Sequence, residues 1–320
     1  MIILLTIGYE RTSDEIVDYF LFYNKKYIRI NCDTLKDSNS FYFGYKLNEN
    51  LSKIKVNSKE INLDEKKVIW NRRISRRTFI DRFLDKKIDF ENSRLFSQFV
   101  FKDWESFLKI FVNRLSKNTF WFDYPFVKED KIDVLLLAQK NGLTIPETII
   151  TNSLEEINYK EYITKPLSST TGFKHGNKFY STYTTIVKKV KHKFLPSLLQ
   201  KRIDKRYEVR TFYLDGECYS MAIFSQNDKQ TEVDFRRYNY KKPNRNIPYK
   251  LPHYMEDNIR KLMNDLDLKT GSIDIIKGKD DIYYFLEVNP VGQFGMTSKP
   301  CNYNLEKKVF EKLIQYEQNF

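Results

Sequence analysis

The residues best suited to chemistry lie near the C-terminus. Glu287 and Asn289 stand two apart in Tyr283-Tyr-Phe-Leu-Glu-Val-Asn289, and Asp274 sits in the preceding apolar run Ser272-Ile-Asp-Ile-Ile-Lys277. Residues two apart in a strand share a face. With residues 278–281 as the loop, Asp274 falls opposite Phe285. Asp274 and Glu287 are then diagonal neighbours, roughly 7–8 Å apart at the backbone. Two carboxylates and an amide oxygen suit a hard cation such as Mg²⁺, which takes one or two carboxylates plus substrate phosphates. An ordinary solvent-facing hairpin explains Asp280 and Asp281 well. It explains Asp274 poorly, because Ile273, Ile275 and Ile276 surround it. Glu287 is as poorly explained, because acids in apolar strands cost free energy unless paired or metal-bound. Asp274, Glu287 and Asn289 are therefore the candidate metal ligands.

Other polar residues gain meaning beside that cluster. Lys165 closes an apolar stretch just before Pro166, and a Ser/Thr/Gly loop follows over residues 167–176. Hydroxyls and free N–H groups of such a loop can wrap phosphate oxygens. Lys131 heads a helical stretch. Glu208 and Arg210 share a strand face by the two-residue rule, as do Asp234 and Arg236. A guanidinium fork suits carboxylate and phosphate, although a plain cross-strand ion pair is the simpler role for Glu208 and Arg210. His175, His192 and His253 are scattered, as are Cys32, Cys218 and Cys301. That argues against a histidine metal site, a Ser/His/Asp triad or a disulfide framework, and it points to a reducing cytoplasm.

Stepping outward, the elements that must hold these residues are legible. Ile2 opens a buried strand, residues 12–23 have helical spacing, and residues 27–30 form a second strand, so the chain opens β-α-β. No G-x-G-x-x-G follows the first strand, which leaves a dinucleotide role there unsupported. Residues 41–70 alternate in the manner of hairpins and lead into Trp70-Asn-Arg-Arg73. A helix ends near Leu115. Residues 131–140 form another helix, stopped by Asn141-Gly142. Strands follow at 207–214 and 218–224, joined by the Asp215-Gly216 turn. A helix over 251–266 precedes the two strands of the carboxylate cluster. The reading gives an α/β (α+β) chain with domains over 1–118 and 119–320.

The chain has 320 residues, 41% hydrophobic and 16% aromatic, enough for a large core. No apolar run approaches a membrane span. The net charge of +13 invites nucleic acid. The Lys and Arg are spread along the chain, however, and no nucleic-acid motif accompanies them. A basic surface equally attracts an acidic peptide or a nucleotide.

Taken together, these pieces resemble the ATP-grasp superfamily. The carriers are Asp130-Lys131, Gly142-Leu-Thr-Ile-Pro-Glu-Thr148, Lys165-Pro166, Glu208-Val-Arg210, Gly271-Ser-Ile-Asp274 and Phe285-Leu-Glu-Val-Asn-Pro290. Leu195-Pro-Ser-Leu-Leu-Gln200, Thr231-Glu-Val-Asp-Phe-Arg-Arg-Tyr238 and Ile69-Trp-Asn-Arg-Arg73 look like the grasp-with-spasm and microviridin-type peptide maturases. Those enzymes make graspetides by joining Asp or Glu side chains to Ser, Thr or Lys side chains of a ribosomal precursor peptide. The sequence departs from the pattern at Asp130, Phe235 and Phe294, where Asn, Trp and Trp are commoner. The resemblance implies a Rossmann-like pre-ATP-grasp domain ahead of the ATP-grasp domain, the latter split into a mobile lid at about 148–195 and a C-terminal antiparallel-sheet subdomain at about 196–320. It implies ATP with Mg²⁺, in all two ions, on Asp274, Glu287 and Asn289. Lys131 and Lys165 would meet phosphates, and Gln200, Lys201, Arg202, Ile203 and Asp204 would meet the nucleotide. Arg210, Glu208 and Lys165 would be catalytic. Glu208, Arg210, Asp234 and Arg236 would meet the peptide, an acidic, hydroxyl-rich core behind a leader. A homodimer is implied as well. The alternatives are a ligase that adds amino acids to a protein tail or joins small substrates, and a non-catalytic basic binder of peptide or nucleic acid.

Overall fold

The computed structural model describes residues 1–35, 40–74, 90–126, 130–153, 157–167, 173–175, 178–180, 184–187, 194–226, 228, 230 and 239–320. Contacts divide the chain into two units, Met1–Phe126 with Asn304–Phe320, and Val127–Tyr303.

The first unit begins with β1 (Ile2–Thr6), α1 (Arg11–Phe22) and β2 (Ile28–Asn31). All five residues of β1 are buried, which explains its continuous apolar run. Glu10 caps α1 by accepting from the Ser13 N–H at 2.7 Å. An antiparallel meander follows, β3 (Phe41–Lys46), β4 (Leu51–Val56) and β5 (Lys59–Ile61). Then come β6 (Lys67–Asn71), α2 (Phe90–Leu115) and β7 (Thr119–Phe122). The main sheet is parallel, in the order β2-β1-β6-β7. Its core gathers Ile3, Leu5, Ile30 and Ile69 against Leu108, Phe111, Val112 and Leu115 of α2. Arg72 is buried and paired with Glu10 at 3.2 Å. Burial pushes the Glu10 carboxyl up, but the Arg72 charge and the Ser13 hydrogen bonds outweigh it and hold the group below its ordinary value.

The second unit starts with α3 (Lys131–Lys140), where Asp130 and Asp133 form a reciprocal capping box. β8 (Thr148–Thr151), β9 (Tyr162–Lys165), the hairpin β10 (Phe173–His175) and β11 (Lys178–Tyr180), β12 (Thr185–Ile186) and β13 (Ser197–Lys201) follow. Four of these make an antiparallel sheet in the order β12-β9-β13-β8. β14 (Lys205–Leu214) and β15 (Glu217–Phe224) form a hairpin, whose turn residues Asp215 and Gly216 both have left-handed φ values of 44° and 98°. That is the backbone a two-residue turn between twisted strands demands. β16 (Arg245–Tyr249), α4 (His253–Asp265), β17 (Thr270–Gly278), β18 (Tyr283–Asn289) and α5 (Gly295–Cys301) complete the unit.

The second sheet of this unit is antiparallel, in the order β16-β15-β14-β17-β18. One of its faces is a hydrophobic core. Val209, Ile273, Ile275 and Phe285 pack there against Leu135 and Ala138 of α3 and Ile259, Leu262 and Met263 of α4. Each of these side chains larger than alanine contributes about 1.5–3 kcal/mol when fully buried. Together they decide which way the strands face, and they turn Glu208, Arg210 and Asp274 to the opposite side. The last element, α6 (Leu305–Asn319), packs on α1, β1 and β6 of the first unit. Phe310 stacks on Tyr23 and meets Phe20 edge-on. Among the described residues no helix is long and apolar enough to cross a membrane.

Candidate active site

The apolar face of the second sheet has a charged reverse. Arg210 on β14 pairs with Asp274 on β17, and Asp274 in turn pairs with Glu287 on β18. Arg210 Nη1 donates to Asp274 Oδ1 at 2.8 Å, with the two residues 7% and 8% exposed. Asn289 Nδ2 donates to Glu287 Oε1 at 3.3 Å. The three expected metal ligands are therefore neighbours.

Their register differs from the sequence expectation. Lys277 pairs with Tyr283, so the hairpin loop is one residue longer than four. A bulge then interrupts the ladder, because Ile275 pairs with Phe285 while Asp274 pairs with Glu287. Leu286 is the extra residue. Asp274 thus lies directly opposite Glu287 and not on a diagonal from it. The bulge has a physical purpose. In a regular strand Phe285 and Glu287 would share a face. With Leu286 inserted, Phe285 is 0% exposed in the core while Glu287 turns to the charged side.

A second bulge acts on β14. Lys205 pairs with Gly278 and Tyr207 with Lys277, which leaves Arg206 unpaired in the ladder. Arg206 turns outward to Asp281 at 2.9 Å. Lys205 turns inward and donates to Glu208 Oε1 at 2.5 Å. Ser225 Oγ donates to the other oxygen, Oε2, at 2.9 Å. Burial pushes the Glu208 carboxyl above its ordinary value, Lys205 and Ser225 pull it back, and the Asp274 charge adds to the rise.

One cleft runs between this face and the four-stranded sheet. Its atom-free space, counted with the open solvent at its mouth, is about 1030 Å³. Lys165, Gln200, Lys201, Arg202, Ile203, Asp204, Glu208, Arg210, Asp274 and Glu287 all line it. Lys131 stands beside this group, since its Nζ donates to the Pro166 carbonyl at 3.0 Å and braces the strand end that carries Lys165. Gln200 Nε2 donates to Thr148 Oγ1 at 3.0 Å, while Gln200 Oε1 is buried with no hydrogen-bond partner. Asp234 and Arg236 lie outside the described residues, as does most of the 167–176 loop. Lys205, Ser225 and Gln226 also line the cleft or bond to its residues and were not foreseen. For Lys205 a regular strand predicts the opposite face from Glu208, so only the bulge reveals it.

Two facing carboxylates and an amide are hard oxygen donors, the set that fits Mg²⁺. The lining residues include neither His nor Cys. The strand pairing that sets Asp274 opposite Glu287 suits a cation between them.

No protein-family model matches the chain, and no curated protein matches it. Solved structures do. A RiPP-associated ATP-grasp ligase of Chryseobacterium gregarium, in complex with ADP and a leader and core peptide, is 22% identical with a TM-score of 0.82, over 98% of this chain and 96% of that one. The macrocyclase MdnC of Microcystis aeruginosa MRC, bound with precursor peptide MdnA, is 23% identical with a TM-score of 0.78, over 99% and 100%. The ATP-grasp ligase PsnB, complexed with minimal precursor, Mg and ADP, is 14% identical with a TM-score of 0.72, over 98% and 96%. The fold of this chain is the ATP-grasp fold. The likeness covers both units, as it spans nearly the whole chain.

Proposed function

We propose that the chain is an ATP-dependent carboxylate ligase acting on a ribosomal precursor peptide. It activates Asp or Glu side chains as acylphosphates and joins them to Ser, Thr or Lys side chains, forming macrolactone or macrolactam crosslinks. The observation that carries this reading is the convergence, in one cleft, of residues from six strands and loops that the sequence holds far apart. Solved structures of the same fold bound to ADP and to precursor peptides support it. The alternative, a ligase joining small substrates, shares the cation site and differs in its acceptor.

Asp274, Glu287 and Asn289 would hold Mg²⁺, which neutralises the charge gathering on the terminal phosphate of ATP. Gln200 to Asp204 would lie along the nucleotide. Lys165 and Lys131 would face its phosphates, and residues 148–195 would act as the lid that keeps water from the activated carboxylate. Arg210 is two-pronged and buried, suited to hold carboxylate and phosphate oxygens at the cleft floor. Asp234 and Arg236 would meet the core peptide. The homodimer and the reducing cytoplasm belong to the same reading, and sedimentation tests the first.

The test is mass spectrometry of a short acidic, hydroxyl-rich precursor peptide incubated with the chain, ATP and Mg²⁺. Each closed ring removes one water. Glu287→Gln should abolish that loss and keep the fold. Ring closure by Glu287→Gln at the wild-type rate would refute the assigned cation site, and a small-molecule acceptor in place of the peptide would favour the alternative.

A further inference from the structure

Lys205 and Glu208 form a second buried ion pair of the cleft beside Arg210–Asp274, with the two residues 8% and 7% exposed. Burying such a pair is stabilising only when its geometry is good and its remaining hydrogen-bonding groups are met. Here the geometry is good. Lys205 Nζ lies 2.5 Å from Oε1 and Ser225 Oγ lies 2.9 Å from Oε2. A carboxylate oxygen has two lone pairs, so each oxygen keeps one lone pair beyond these bonds. Arg210 is two residues away on the same face, but its Nη1 goes to Asp274 at 2.8 Å. The chain also gives up a regular ladder to bring Lys205 here, through the bulge at Arg206. A lysine needed only for solubility would sit outward, as Arg206 does.

We propose that Lys205 is a positioning residue for acyl transfer: with Ser225 it pins the Glu208 carboxylate so that Glu208 takes the proton of the attacking peptide hydroxyl. This assignment rests on the ligase reading above. In the step, the hydroxyl oxygen forms a bond to the acyl carbon of the activated side chain. The bond from that carbon to the phosphate oxygen breaks, and phosphate leaves with the electron pair. The hydroxyl proton passes to Glu208. Burial pushes the Glu208 carboxyl above its ordinary value, which favours taking the proton, while Lys205 and Ser225 pull it back.

The two halves of the reaction separate the roles. Carboxylate activation needs the cation site, and ring closure needs Glu208. A loosened Glu208 leaves the acylphosphate to water, so ATP is consumed without a ring. The readout is ADP released per ring closed, measured with the precursor peptide that loses water in the assay above. For Lys205→Met, ring closure should fall about 100-fold, the loss expected for a reacting group displaced by about an ångström. ADP release should fall far less, so the ratio rises. Lys205→Arg, which keeps the charge, should bring the ratio back toward that of the wild type. Should Lys205→Met fail to fold, Lys205→Met with Glu208→Gln removes both buried charges and must still show the raised ratio. Closure and ADP release falling in step, at an unchanged ratio, would overturn the proposal. A crystal structure of Lys205→Met tests the placement without any peptide. Glu208 should leave Ser225, and an unmoved carboxylate would equally overturn the assignment. Failure of the ligase reading looks different, because the wild-type chain would then release no peptide-dependent ADP.

Discussion

Replacing Arg210 by methionine probes the charged face most directly. Arg210 and Asp274 are 7% and 8% exposed and meet at 2.8 Å. Asp274 also sits opposite Glu287 across the β17–β18 ladder. Methionine keeps the bulk and removes the guanidinium from beside two facing carboxylates. Breaking a buried pair at one partner costs about 3–5 kcal/mol. Trp70, Trp104 and Trp121 all lie in the first unit, so tryptophan fluorescence does not follow this change. Amide hydrogen exchange of β14 and β17 does. A loss of that size should speed their exchange by about two to four powers of ten, at about 1.4 kcal/mol per decade. Mg²⁺ should then rescue the variant. A ligand at 100 times its Kd stabilises by about 2.7 kcal/mol, and in Arg210→Met the cation no longer competes with a guanidinium. Mg²⁺ should therefore slow exchange more in the variant than in the wild type. Wild-type exchange in Arg210→Met would mean that the ion pair does not hold Asp274. Exchange indifferent to Mg²⁺ would remove the cation site itself.

Three further outcomes follow from single features. Arg72 and the Ser13 hydrogen bonds hold the folded Glu10 carboxyl below its ordinary value, so its contribution is present above the ordinary value and disappears as pH falls through the folded pKa. Glu10→Gln should flatten the acid limb of first-unit stability, read by tryptophan fluorescence in urea, and an unchanged limb would exclude the Arg72 pairing as its cause. A Cβ on Gly292 would come within 2.1 Å of Ser272 Oγ and 2.6 Å of the Ser272 backbone nitrogen. Since backbone cannot yield cheaply, Gly292→Ala should cost about 1–3 kcal/mol and displace Asn289, the strand partner of Ser272. Calorimetry should find weaker binding of ADP with Mg²⁺, and wild-type affinity would count against Asn289 as a ligand. Burial pushes the Cys32 and Cys218 thiols up to about 12, so neither should react with iodoacetamide at neutral pH until the chain unfolds. Rapid native labelling of Cys32 would contradict its burial in the first-unit core.

Much of this site is legible in the sequence. Acids set among isoleucines, at Asp274 and Glu287, announce a partner because burial of an unpaired charge is costly. The two-residue period placed Glu208 with Arg210 and Glu287 with Asn289, and the cleft gathers Glu208, Arg210, Asp274 and Glu287. The helix over Lys131–Lys140 is legible to the residue, since its Asn-Gly stop is a local signal. Other features left weaker traces. The amphipathic α6 repeats buried Leu305, Val309, Phe310 and Leu313, yet nothing local says that it packs with the first unit and not with the residues just before it.

The sequence alone determined which chemical groups the site would own and which strands would carry them, because hydrophobic period and side-chain type are local properties. Tertiary structure decided the register. The bulges at Arg206 and Leu286 each insert one residue, and one residue reverses every later side chain on a strand. They occur because the core must keep Ile275 and Phe285 on one face while the cleft takes Lys205 and Glu287 on the other. That compromise is set by packing between elements distant in sequence, and no alternation within a single strand encodes it.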